Sequence, residues 1–146
     1  MKTEIEESVR KKAEMMLSSE RKHMGHALGI EFEKISRDEM RASMPVSKNT
    51  IQPFGILHGG ASVSLAETLA SIGAWLNLDD DMQTAVGLEI NANHVKTVRL
   101  GGRVTGIAKP IHRGAQTHVW EIRIENESGK LVCISRCTLA IIKRRN

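Results

Sequence analysis

Four polar residues lie at helical spacing in a segment that is otherwise mostly apolar. Ser64, Glu67, Thr68 and Ser71 stand at positions i, i+3, i+4 and i+7, so on a helix they share one face. Glu67 is the only ionisable residue in the segment 61–78. A solvated face is the plainer interpretation, but such a face normally carries several charges. The isolated carboxylate therefore favours a functional Glu67, because perturbed charged groups concentrate at sites.

The tripeptide His58-Gly59-Gly60 stands immediately before this segment. Glycine at a helix start lets a ligand approach the backbone, whose free N–H groups bind developing negative charge. The alternative is a tight turn in which His58 has only a structural role. The tripeptide taken alone favours this alternative. Gly59 and Glu67 are ~12 Å apart along one helix, whereas both must lie within ~3 Å of one reacting carbonyl. An enzyme built on them is therefore predicted to be a dimer, with Gly59 of one chain facing Glu67 of the other.

The elements that must position these residues follow from the hydrophobic pattern. The segment 61–78 predicts one long helix, and 3–22 predicts an N-terminal helix with a thin apolar stripe. Two strand-like runs flank 36–39, and four more lie between 83 and 142, with turn residues between them. Short connections favour antiparallel neighbours. The expected fold class is α+β, with a curved antiparallel sheet wrapped around the long helix. We expect 1–22 to be a helical extension and 23–146 to be a single domain.

Composition excludes several classes of protein. The 146 residues are 40% hydrophobic, which is enough for a folded core. The net charge of +4 comes from the chain ends, since residues 25–142 hold twelve basic and twelve acidic side chains. With no Tyr, two Trp and two Phe, the chain has little material for base stacking, so nucleic-acid binding is a distant alternative. No segment is apolar enough for a membrane span. Cys133 and Cys137 are expected to be buried thiols, and a cytoplasmic location fits them.

Four segments taken together resemble the hotdog-fold acyl-CoA thioesterases. They are QPFGILHGGASVSLAETLAS, VGLEINANHVKTVRLG, AKPIHRG and LVCISRCTLAI. The resemblance runs from about His23 to Ile142 and is nearest to the branch of the 1,4-dihydroxy-2-naphthoyl-CoA and enterobactin proofreading thioesterases. It implies the hotdog fold, hydrolysis of a CoA thioester, no metal or redox cofactor, and a homodimer with shared sites that commonly pairs into a tetramer.

The resemblance also assigns roles to residues. It implies that Glu67 is the nucleophile or general base and is supplied by the opposing subunit. The backbone N–H of Gly59 and the side chain of Gln52 would polarise the thioester carbonyl. His58 would orient this part of the site. Ser71 would lie near the acyl group. The segments that match the CoA contacts contain Gly87, His94, Val95, Lys96, Thr97, His112, Arg113, Gly114, Ala115, Gln116 and Thr117.

Two departures from the family pattern bear on the CoA contacts. The chain has one residue more around Leu100-Gly101-Gly102 than its nearest relatives. Many relatives carry a basic residue near Gln116, where it would contact a CoA phosphate. Either Arg113 replaces this contact here, or CoA is bound more weakly. Between Ile90 and Trp120 the chain has five Lys and Arg, three His and no Asp or Glu. The positive charge of this run suits binding of the CoA phosphates. A solvated strand edge is the alternative explanation, since such edges also carry lysines.

The substrate and two alternative functions stay open at this point. Hydroxyls at Ser64, Thr68 and Ser71 suggest a partly polar pocket for a hydroxylated aryl group, but hydroxyls that bond helix carbonyls are an equal alternative. A non-catalytic acyl-CoA-binding module would keep the pocket without needing Glu67. A hotdog dehydratase or hydratase would pair a histidine with an acidic residue in a different motif, which the chain lacks.

Overall fold

The computed structural model describes residues 2–145. The chain forms three α-helices, seven strands and a short 3-10 turn at Glu7–Val9 in this range. The helices are α1 (Arg10–Leu17), α2 (Met24–Leu28) and α3 (Gly59–Leu76). The strands are β1 (Glu4–Ile5), β2 (Glu31–Ile35), β3 (Met40–Pro45), β4 (Gln83–His94), β5 (Arg103–Arg113), β6 (Thr117–Asn126) and β7 (Leu131–Lys143).

The seven strands form one sheet that packs against α3. The strand order is β1-β2-β3-β5-β6-β7-β4, and every pair is antiparallel except β1 with β2. Side chains alternate along each strand, so that Trp120, Ile122 and Ile124 of β6 are buried. The predicted α+β architecture, a sheet around one long helix, is confirmed.

Helix α3 begins two residues earlier than predicted because His58 caps it. The Nδ1 atom of His58 accepts a hydrogen bond of 2.8 Å from the N–H of Gly60, which satisfies a donor that the first turn leaves free. Leu65 and Leu69 lie on the sheet side of the helix and are fully buried. They reach β5 at Gly106, where a Cβ atom would lie 2.8 Å from Leu69 Cδ1.

The predicted helix over 3–22 is wrong in extent. Residues 4 and 5 pair with β2 instead, and Thr3 donates a hydrogen bond of 2.8 Å to the carbonyl of Phe32. The backbone groups of these residues therefore form hydrogen bonds with the edge of a sheet and not within a helix. Helix α1 ends at Leu17. The apolar stripe nevertheless faces the core, since Val9 and Ala13 are buried. The division of the chain at residue 22 stays a prediction.

The N-terminal segment also holds the C-terminal end of α3. Lys12 Nζ donates hydrogen bonds to the carbonyls of Trp75 (3.2 Å) and Leu78 (2.5 Å). A cation at this position stabilises the negative end of the helix dipole. Within residues 2–145, no helix combines the length and the apolar character that crossing a membrane requires.

Candidate active site

The carboxylate of Glu67 lies against the backbone of the edge strand β4. A Cβ atom at Gly87 would fall 2.6 Å from Glu67 Oε1, which is closer than atoms normally approach. Glu67 itself is half-buried, on a flank of α3 whose sheet side is apolar. Glycine at position 87 therefore gives the carboxylate room at the edge of the sheet, and this contact could not be predicted from the spacing of the helix residues.

Two of the predicted pocket hydroxyls bond to the helix backbone. Ser64 Oγ donates to the carbonyl of Gly60 (2.8 Å), and Thr68 Oγ1 donates to the carbonyl of Ser64 (2.6 Å). Their protons are engaged, while their oxygens retain lone pairs that can accept a hydrogen bond. Ser71 is half-buried one turn beyond Glu67. The structure thus places all three hydroxyls within one turn of Glu67 along α3, with Ser64 and Thr68 bonded to the helix backbone.

A cleft of about 390 Å³ surrounds the start of α3. It brings together the predicted residues Gln52 and Gly59 with the segment His94, Val95, Lys96 and Thr97. The imidazole of His94 packs directly on Gly59, because a Cβ atom there would lie 2.8 Å from His94 Nε2. His58 does not line this cleft, and its observed contact is the helix cap.

The loop before α3 presents the amide group of Gln52 to the cleft region. The Oε1 atom of Gln52 accepts a hydrogen bond from the N–H of Phe54, and the N–H of Gly55 donates to the Gln52 carbonyl at 3.0 Å. With Oε1 engaged, the Nε2 group supplies the donors of this side chain. A donor amide next to a helix N-terminus suits a developing oxyanion.

The carboxylate and the cleft lie at different places along β4. Glu67 contacts Gly87, whereas Gly59 contacts His94. These two positions on the strand are seven residues apart, or ~23 Å at ~3.3 Å per residue. Within one chain, the carboxylate and the backbone donors at the start of α3 therefore lie at two separate places.

The segment 112–117 lies at a third place, beside the C-terminal end of α3. Arg113, Gly114 and Ala115 line a cleft of about 320 Å³ together with Asp79 and Asp80.

The guanidinium of Arg113 is engaged by the protein itself. Its NH1 group donates to Asp38 Oδ1 (2.8 Å), Asn77 Oδ1 (3.1 Å) and the carbonyl of Arg37 (3.2 Å). A phosphate contact by Arg113 would have to compete with these bonds, which join residues distant in the sequence.

His118 is a titratable residue at the same cleft that sequence reasoning missed. It is buried, and burial lowers its pKa, with the charges of Arg113 and His112 adding to the effect. The sequence signal that could have identified His118 is its position in β6, two residues before the buried Trp120. A neutral imidazole is the form that this environment favours.

The two cysteines are free thiols in the core, as predicted. Burial raises the pKa of Cys137 to about 12, and the carboxylates of Glu67 and Glu89 add to the shift. A thiol with this pKa is not a nucleophile at neutral pH. Among residues 2–145, no group of three or more His, Cys, Asp or Glu is arranged to hold a metal ion.

The long helix α3 is wrapped by the sheet, with a carboxylate on its flank and glycine N–H groups at its start. This architecture defines a hotdog protein. Residues 54–133 match the model of the thioesterase superfamily. The chain belongs to this superfamily. Together with the relatives described next, this membership confirms the predicted class of enzyme, a thioester hydrolase.

Individual relatives agree with this assignment. The chain is 52% identical over 115 residues to the 1,4-dihydroxy-2-naphthoyl-CoA hydrolase of Escherichia coli K12. The aligned residues cover 79% of this chain and 83% of that protein. A mutant thioesterase from Pseudomonas aeruginosa has a similar crystal structure, with a TM-score of 0.84, 46% identity and coverage of 90% and 94% of the two chains. A thioesterase from Haemophilus influenzae has a TM-score of 0.81, 44% identity and coverage of 91% and 90%.

Proposed function

We propose that this protein hydrolyses an acyl-CoA thioester to a free acid and CoA, with an aryl acyl group of the 1,4-dihydroxy-2-naphthoyl kind. The observation that carries the proposal is the half-buried carboxylate of Glu67 against Gly87. The glycine start of α3 supplies the complementary donors. The name of the Escherichia coli relative supports the aryl-CoA substrate.

The complete site is proposed to form between two chains that pair through β4. This strand ends the sheet within the described residues, and its Leu88 is 61% exposed. Antiparallel pairing about the point between Ile90 and Asn91 would set position 87 of one chain opposite position 94 of the other. Glu67 of the partner subunit would then face Gly59, as the reaction requires. Each dimer would hold two such sites, and a tetramer would be a pair of these dimers.

In this arrangement the chemistry needs few groups. Glu67 either attacks the thioester carbon, giving an anhydride that water then cleaves, or takes a proton from a water that attacks the same carbon. The N–H of Gly59 and the Nε2 group of Gln52 stabilise the negative charge that develops on the carbonyl oxygen. The CoA thiol leaves as a thiolate, whose pKa near ~8.5 requires little acid assistance. No step calls for a metal or redox cofactor.

The position of the CoA phosphates is proposed from the distribution of cations. Lys96 lines the cleft at Gly59 and is exposed, so it is available to a phosphate. Arg113 already donates to Asp38 at 2.8 Å. We therefore assign the phosphate contact at this cleft to Lys96 and expect a smaller contribution from Arg113.

The experiment that tests the proposal is hydrolysis by a Glu67→Ala variant. Release of free CoA from 1,4-dihydroxy-2-naphthoyl-CoA should fall by roughly 10²–10⁴-fold, the usual contribution of such a group. Glu121→Ala, which removes an exposed carboxylate on β6, is the matched control and should keep full activity. Size measurements should show the same oligomer for all three proteins. Undiminished turnover by Glu67→Ala would refute the mechanism, and binding without turnover by the unmodified protein would indicate a non-catalytic acyl-CoA module.

A further inference from the structure

The N-terminal segment encloses a cavity of about 620 Å³ next to α3. A volume of this size is typical of small-molecule sites. The cavity has walls from six elements, which are α1, α2, β2, β3, β5 and α3, and it is separate from the cleft at Gly59. Its principal lining residues are Met16 and Leu17 of α1, His26 of α2, Phe32 of β2, and Thr68 and Ile72 of α3.

The cavity lies on the side of α3 that faces away from β4. Thr68 follows Glu67 directly, and Thr68 and Ile72 are one turn apart on a flank that is ~100–140° around the helix from Glu67. A thioester carbonyl at Glu67 carries sulfur on one side and the acyl carbon on the other. With CoA on the β4 side, where Gly59 and Lys96 of the partner subunit are proposed to act, the acyl group would point toward Thr68. Ile72 is only ~7.5 Å further along the helix axis, which is within reach of a two-ring acyl group.

The walls of the cavity have the chemistry of a site for a flat ring. Phe32, Ile72 and Met16 pack against the hydrophobic core and present apolar surface. The rings of His23 and His26 lie with their centroids 3.9 Å apart and their planes tilted by 33°. His23 is held in place because its Nδ1 atom accepts a hydrogen bond of 3.1 Å from the N–H of Gly25. Fixed aromatic faces favour a planar aromatic partner over a flexible alkyl chain.

A polar corner completes the cavity. Arg103 NH1 donates a hydrogen bond of 2.8 Å to Ser43 Oγ, and both residues line the cavity. Four of the guanidinium N–H donors lie outside this bond, and NH1 also lies 4.0 Å from Glu31 Oε2 at the edge of the cavity. A hydroxyl or carbonyl oxygen on the far ring of an acyl group matches such donors.

We propose that α1 and α2 form the outer wall of the acyl pocket and select planar aromatic acyl groups. This inference rests on the proposed thioester hydrolysis. The wall lies before residue 54, where the match to the superfamily model begins. The segment thus adds substrate selection to a matched core that contains Gly59 and Glu67.

The test narrows the cavity at an exposed position. Leu17 lines the cavity and is 44% exposed, whereas Met15 is 61% exposed and lines a different cavity near Trp75. Both residues belong to α1, so Leu17→Trp and Met15→Trp are matched variants that spare the core. The kcat/KM values for 2-naphthoyl-CoA and acetyl-CoA are measured for each. The ratio of the two values should fall roughly tenfold in Leu17→Trp, the usual effect of a lost pocket contact, and should stay constant in Met15→Trp.

A second variant and a binding experiment test the role of the cavity independently of Leu17→Trp. Met16→Ala enlarges the cavity and should change the same ratio by at least threefold. In Glu67→Gln protein, 2-naphthoyl-CoA should shift the NMR signals of the His26 ring, and CoA alone should leave them in place. Unchanged ratios in Leu17→Trp and Met16→Ala, or equal shifts with CoA alone, would overturn the inference. Failure of the unmodified protein to hydrolyse any thioester would instead refute the proposed function.

Discussion

The contact between Gly87 and Glu67 predicts the effect of adding a single methyl group. Gly87→Ala places a Cβ atom 2.6 Å from Glu67 Oε1, whereas ordinary contact begins at 3.4 Å. Because the carboxylate ends a flexible side chain, it moves rather than the strand. The required displacement is the difference between these distances, 3.4 − 2.6 = 0.8 Å.

The size of this displacement sets the expected loss of activity. A misplacement of ~1 Å at a reacting group costs roughly 10²-fold in rate. We therefore expect kcat for the aryl-CoA thioester to fall by roughly 10–100-fold in Gly87→Ala. Folding should be unaffected or slightly improved, since alanine is favoured over glycine in a strand by roughly 0.5–1 kcal/mol. Thermal unfolding followed by circular dichroism checks this second expectation.

The double variant shows whether Gly87 acts through the carboxylate. In Glu67→Ala protein there is no carboxylate to displace, so the added Gly87→Ala change should leave the residual rate unaltered. A displaced carboxylate lowers kcat, whereas a lost CoA contact at Gly87 raises KM. A normal kcat in the single variant, or an equal further loss in the double variant, would refute the reasoning.

Two further predictions concern the fold. Gly73→Ala places a Cβ atom 2.7 Å from Trp120 Cη2 in the core. Overpacking of about 1–3 kcal/mol should exceed the gain of about 1 kcal/mol from alanine in a helix, so urea denaturation should show a lower free energy of unfolding. For His118, burial lowers the pKa of the imidazole, so below the pH where free histidine titrates the unfolded chain binds a proton that the folded chain does not. Stability should therefore fall from pH 7.5 to 5.5, and less steeply in His118→Gln, as melting temperatures at the two pH values would show; equal slopes would contradict this.

Local patterns in the sequence were sufficient to predict α3 and its carboxylate. The spacing of Ser64, Glu67 and Ser71 requires only the helical repeat, which is a property of neighbouring residues. The same repeat showed that Gly59 and Glu67 are too far apart to serve one carbonyl within one chain. The strand runs after residue 83 followed from alternation and turn residues.

The N-terminal segment shows where local patterns fail. The apolar spacing of Ile5 and Val9 fits a helix, and both residues do pack on the core. The backbone of residues 4 and 5 nevertheless joins β2, because the edge of that strand offers hydrogen bonds to a passing chain. Propensity cannot register such an edge, since it belongs to residues more than twenty positions away.

What the sequence by itself determined is the identity of the catalytic candidates and the elements that carry them. Only the tertiary structure decided their surroundings: Gly87 makes room for Glu67, His94 packs on Gly59, and Arg113 bonds to Asp38. The physical reason is that spacing along a helix or strand is local, whereas a contact between distant residues depends on strand order. In this sheet β4 lies outside β7, and that order alone brings Gly87 to the flank of α3.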